Sequence, residues 1–175
     1  KMAQASGNSA GKAGFGKYAV HISVFLICLL WSLPTIGILV TSLREGIVGA
    51  VSDDGTYKVF IQDSNLVSAI GIRVDAERDR LLVCNSDPGV SVHTRKENQG
   101  KLAGLGVFQL STGKLIKYLD LGKLGGAGGH FCNDIALDAA GNAYVTDSFS
   151  PIIYKVDAGN NASVLLNHKR FTGEN

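Results

Sequence analysis

No run of five or six like charges occurs anywhere in this chain. Its formal charge is only +2 and is spread along 175 residues. A nucleic-acid partner needs a clustered basic footprint, so that class of function is excluded. Cysteine is sparse as well. The three cysteines, Cys28, Cys84 and Cys132, do not make a disulfide framework. Cys28 lies in an apolar run, while Cys84 and Cys132 fall in strand-like segments; buried free thiols are the default reading, with a Cys84–Cys132 bridge the alternative. Glycine is the opposite case. Its 22 residues cluster at apparent turns without the three-residue period of collagen.

A long apolar stretch occurs once. Residues Ile22 to Leu43 carry no charge, and a helix needs about 20 such residues to cross ~30 Å of hydrocarbon. The reading is a polar arm at 1–18, a transmembrane helix at 19–45 and a domain at 46–175. Lys1, Lys12 and Lys17 precede the run, which places the N-terminus in the cytoplasm and the rest on the outer face. A cleaved secretory signal is the competing reading, but its apolar core is normally 7–15 residues. Pro34 is tolerated in a span whose neighbours satisfy the freed carbonyl. The start on Lys1 and the stop on Thr-Gly-Glu-Asn suggest a fragment or an unusual reading frame.

After Gly46 the pattern becomes short apolar runs broken by Gly, Asp and Asn. Val51–Gln62, Leu105–Leu121 and Ile152–Leu166 each read as strand, tight turn, strand. A second kind of hairpin precedes the last two. Ile72–Asn85 aligns with Ile135–Asp147, and Asp75 and Asp138 lead their turns. The unit is therefore four antiparallel strands recurring after about 62 residues, with a polar insertion at Ser91–Leu105 that lengthens it beyond an ordinary propeller blade. The expected fold is mostly β: a partial β-propeller of about two to two and a half blades after one N-terminal transmembrane helix. A β-sandwich is the alternative that hairpins alone allow. Open strand edges imply self-association.

Two resemblances follow from these residues. Lys17–Glu45, with Trp31, Pro34, Gly37, Ser42, Leu43 and Arg44 in order, resembles the first membrane span of a sugar ABC-transporter permease. A single span builds no translocation path. The segment His130–Ser148 carries Asn-Asp-x-x-x-Asp-x-x-Gly-x-x-Tyr-x-Thr-Asp, and Ile153–Asp157 follows it. Across Val51–Asn175 the chain is similar to the senescence-marker-protein, gluconolactonase and luciferin-regenerating-enzyme family of six-bladed propellers. That resemblance implies lactone or ester hydrolysis, a lactone- or sugar-like ligand, and Ca²⁺ or another divalent metal in the complete ring. Together the two imply a bacterial inner-membrane protein with a periplasmic β domain.

Few residues match the family's site. Asn133 is the one position corresponding to a metal ligand, with a turn-forming Asn as the plain alternative. The equivalent slot in the preceding repeat is Ile70–Gly71, which offers no side-chain oxygen. Since Ca²⁺ takes six to eight oxygens, this chain is expected to bind no metal tightly and to be inactive as given. Asp147 is the weak catalytic candidate; it and Asp87 end their strands, where such residues orient a site, act as a base or close a turn. Asp134 reads as a local cap, and Asp75, Asp138 and Gly141 as turn chemistry. His130 lacks an identifiable partner. Gly122–His130 is glycine-rich but lacks a Gly-Lys-Ser/Thr ending, so it reads as a flexible connection rather than a phosphate loop. Asn161 opens a glycosylation sequon, and Phe108, Tyr118, Tyr144 and Tyr154 read as packing residues.

Overall fold

The computed structural model describes residues 10–171. The chain divides into two units, the first ending at Ile38 and the second beginning at Leu39. Helix α1 runs without interruption over Ala10–Glu45. It therefore starts well inside the expected polar arm. Its apolar side chains from Val20 to Leu29, Phe25 at 66% among them, stand exposed. Among the described residues, no helix is long and apolar enough to cross a membrane. The span expected at 19–45 lies partly outside them, because side chains 30–39 are not among those described.

The last turn of α1 belongs to the second unit and is tied into it. A helix end leaves its final carbonyls without intrahelical donors. Here the Ser68 hydroxyl donates to the Leu43 carbonyl (2.6 Å), and both Val92 N–H (2.8 Å) and the Ser91 hydroxyl (2.9 Å) donate to Arg44. Gly46, at φ +64°, turns the chain out of the helix, a left-handed conformation that glycine adopts without strain.

Among the described residues, ten strands follow in three antiparallel sheets. The first pairs β1 (Val48–Val51) with β2 (Tyr57–Ile61). The second is a meander of β3 (Ala69–Asp75), β4 (Arg80–Ser86), β5 (Ala103–Gln109) and β6 (Leu115–Asp120). The third repeats it with β7 (Cys132–Leu137), β8 (Ala143–Asp147), β9 (Ile152–Val156) and β10 (Ala162–Asn167). All five hairpins lie where the turn residues put them. No closed ring forms among the described residues.

The sheets stack because alternate side chains of a strand point to opposite faces. On β4, Leu81 and Val83 join Val48 and Ile61 of the first sheet. Leu82 and Cys84 point the other way, into a core with Ile135, Val145, Tyr154 and Val156 of the third sheet. Strand β4 is thus buried on both faces, which is why Leu81 to Cys84 is a continuous apolar run. Its counterpart β8 is buried on one face only. Tyr144 and Thr146 occupy the positions matching Leu82 and Cys84, and Thr146 is exposed.

Several connections cross between the second and third sheets. Cys84 on β4 and Cys132 on β7 form a disulfide, with Cα atoms 5.3 Å apart. This corrects the expectation of free thiols: β3 and β4 lie against β7, and that proximity follows from stacking rather than from spacing along the chain. Arg80 makes another. Its guanidinium pairs with Asp75 (2.6 Å) and reaches across to the Gly141 carbonyl (2.6 Å) and the Asn160 side-chain oxygen (3.1 Å). Asp75 is thus more than turn chemistry.

Candidate functional site

Asn133 lies on β7 and is exposed. Gly71 on the neighbouring sheet sits against its backbone so closely that a Cβ there would collide with the Asn133 carbonyl. The adjacent strand therefore supplies backbone but no side-chain oxygen beside Asn133. Asp134 is turned to local use, its carboxylate accepting from Ile135 N–H (2.8 Å). Among the described residues no three His, Cys, Asp or Glu side chains come together as a metal site. A divalent metal of the kind the resemblance implies does not fit these residues, because a hard cation needs several converging oxygens.

Asp147 is the most heavily engaged carboxylate. It ends β8 with its side chain fully buried. One oxygen accepts the backbone N–H groups of Phe131 (2.9 Å), Phe149 (3.0 Å) and Ser150 (3.1 Å). The other meets His130 Nδ1 at 2.7 Å and the Tyr154 hydroxyl at 3.0 Å. His130, expected to lack a partner, therefore has one, and its Nε2 lies 3.1 Å from the Gly126 carbonyl. The Tyr154 hydroxyl is held above its usual range by burial first, then by the Asp147 charge. Asp, His and Tyr are the residue types of acid–base chemistry, yet each polar atom here already has a protein partner. The cluster holds the chain entering β7 and the turn leaving β8. Tyr154 is more than packing.

The preceding repeat has the same device in neutral form. Asn85, at the position matching Asp147, accepts from Val67 N–H (2.7 Å) and Ser68 N–H (3.2 Å), and donates to Asn65 O and Tyr118 Oη (both 2.7 Å). Val67 stands where His130 stands. The sequence alignment of the two repeats contained that equivalence, whereas the hydrogen bonds, reaching 17 to 33 residues along the chain, were not visible in it.

Asp87 organises the polar insertion. It is fully buried and accepts from Gly89 N–H (2.9 Å), the Thr94 hydroxyl (2.7 Å) and Arg95 N–H (3.1 Å). Gly100 N–H closes the loop by donating to the Asp87 carbonyl (2.9 Å). Between this loop and β6 lies a cavity of about 460 Å³, lined by residues including Asn65, His93, Arg95, Asn98 and Tyr118. Sequence reading missed it, because the insertion registered only as excess length. A smaller cavity of about 400 Å³ lies beside Gly122–His130, where Gly122–Gly125 forms one helical turn.

Comparison with known proteins adds one relative. Part of the chain is similar to a sugar-transport permease. The alpha-glucoside transport system permease protein AglG of Rhizobium meliloti (strain 1021) is 39% identical over 70 residues, which are 40% of this chain and 18% of that protein. The match supports the permease-like reading of the N-terminal segment. The chain spans less than a fifth of that relative's length. No family model matches.

Proposed function

We propose that this is a membrane-tethered protein in which a permease-like helix anchors an exported, incomplete β-propeller that catalyses nothing by itself. The observation that carries the reading is the Cys84–Cys132 disulfide, buried between two sheets. Such bridges persist in oxidising compartments such as the bacterial periplasm and are rare in the cytosol. The charge-free run at Ile22–Leu43 supports the anchor, as do the exposed apolar side chains of α1. Two four-stranded meanders stacked with β3 beside β7 support descent from the gluconolactonase-like propellers. The lactone or ester hydrolysis of that family is not carried over, since Asn133 stands without converging oxygens.

Alkaline phosphatase fused after Asn175 tests the topology in a bacterial host, because that reporter is active only after export. High activity, together with thiol labelling confined to Cys28, is expected. An inactive fusion with Cys84 and Cys132 both labelled would overturn the reading.

The permease match favours a second reading, in which the head is a piece of a sugar-uptake permease joined to an unrelated β fragment. Flanking genes for further permease spans and an ATPase would favour it, and flanking sequence encoding further four-stranded repeats would count against it.

A further inference from the structure

The 87–102 insertion has no counterpart in the second repeat. There, β8 and β9 are joined by a short turn after Asp147. A loop of this length inside a packed unit is generally either functional or disordered. This one is held in place from within by the buried Asp87 carboxylate and from outside by Ser91, whose hydroxyl lies 2.6 Å from the Val67 carbonyl. The cavity it closes has the volume of a small-molecule site.

The chemistry of its wall is that of a donor surface. Arg95 presents a guanidinium with no ion pair among the described residues. The Tyr118 oxygen accepts a hydrogen bond from Asn85, which leaves its own proton to donate. Burial raises the Tyr118 pKa despite that bond, and the charges of Asp120 and Asp63 add to the rise, so the phenol stays protonated. One Asp63 oxygen, Oδ1, accepts both the backbone and the side-chain N–H groups of Asn65 (2.9 and 2.7 Å). Asn98 adds an amide and His93 an imidazole, while Val67 and Leu102 give apolar surface for a carbon skeleton.

We propose that this cavity binds a small hydroxylated carboxylate, with Arg95 meeting the carboxylate and Tyr118 donating to a hydroxyl oxygen. An acceptor-rich anion satisfies a guanidinium and free O–H and N–H donors together, whereas a neutral polyol leaves the guanidinium without its charge-assisted bond. The site lies wholly within the second unit. It does not depend on whether the chain is tethered or where it is exported.

Isothermal titration of the full chain in detergent micelles tests this with three four-carbon probes: tartrate, succinate, which lacks the hydroxyls, and erythritol, which lacks the carboxylates. Tartrate is expected to bind saturably and at least about tenfold more tightly than either of the others. Arg95→Gln should weaken tartrate by about tenfold without disturbing the loop, because Asp87 holds the Arg95 backbone N–H and not its side chain. Tyr118→Phe should weaken tartrate and leave succinate unchanged, with an unaltered far-ultraviolet spectrum showing that the fold persists. No saturable tartrate binding up to about 10 mM, equal affinity for the three probes, or tartrate binding indifferent to Arg95→Gln would each overturn the proposal.

Discussion

Replacing Arg80 by Met is the most informative perturbation of the β unit. The side chains of Arg80 and Asp75 are each only 5% exposed, so removing the cation leaves a carboxylate in a poorly solvated place. Breaking one side of a buried pair costs about 3–5 kcal/mol. Arg78, 3.3 Å from the other Asp75 oxygen, retains some compensation and brings the expectation to about 3 kcal/mol. The loss is not confined to the pair, since the Gly141 carbonyl and Asn160 side chain of the third sheet lose a shared donor. For a unit of this size, ~3–5 °C per kcal/mol gives a fall in Tm of roughly 10–15 °C. Circular dichroism near 218 nm is the assay, because it reads the sheets directly. The double variant Arg80→Met with Asp75→Leu removes the stranded charge and should recover part of the loss. A loss below about 1 kcal/mol, or a double variant no more stable than the single, would refute the argument that a buried charge sets the cost.

Reducing the Cys84–Cys132 bridge, or replacing both residues by Ala, releases a loop of 48 residues. The chain-entropy relation puts the cost at about 4 kcal/mol, read as a lowered urea midpoint; an unmoved midpoint would contradict the bridge. Acid should weaken the same unit. Burial alone would raise the Asp75 pKa, but hydrogen bonds and charge from Arg80, then Arg78, hold it below the ordinary carboxylate value. Asp138 is held at about 2, chiefly by the Asn142 side chain and backbone N–H. Their stabilisation is complete above the unfolded value of about 4 and is lost as pH falls through the folded values. The urea midpoint should therefore fall between pH of about 5 and 2, less steeply in Asp75→Asn, and a flat profile would count against both assignments. Calorimetric titration of the full chain with CaCl₂ should show no saturable site tighter than about 10⁻⁵ M. Such a site, lost on Asn133→Ala, would show that oxygens converge there after all.

The hairpins were legible in the sequence because their causes are local. Alternation along Ile135–Leu137 and Ala143–Asp147, with Asp138 and Gly141 at the turn, sets a strand pair without reference to the rest of the chain. The repeat itself also determined that Asn85 and Asp147 occupy like positions. What each of those residues touches was decided only by tertiary structure. The Cys84–Cys132 bridge, the His130–Asp147 contact and the reach of Arg80 to Gly141 join residues 48, 17 and 61 positions apart. Such pairings depend on how sheets stack and how strands end, and a linear pattern with a period of two carries no record of either. Composition could show that Ser91–Leu105 is a polar insertion. That residues 87–102 form a loop over a cavity was decided by burial of the Asp87 carboxylate between the sheets' loops, where it gathers donors two, seven and eight residues further along the chain.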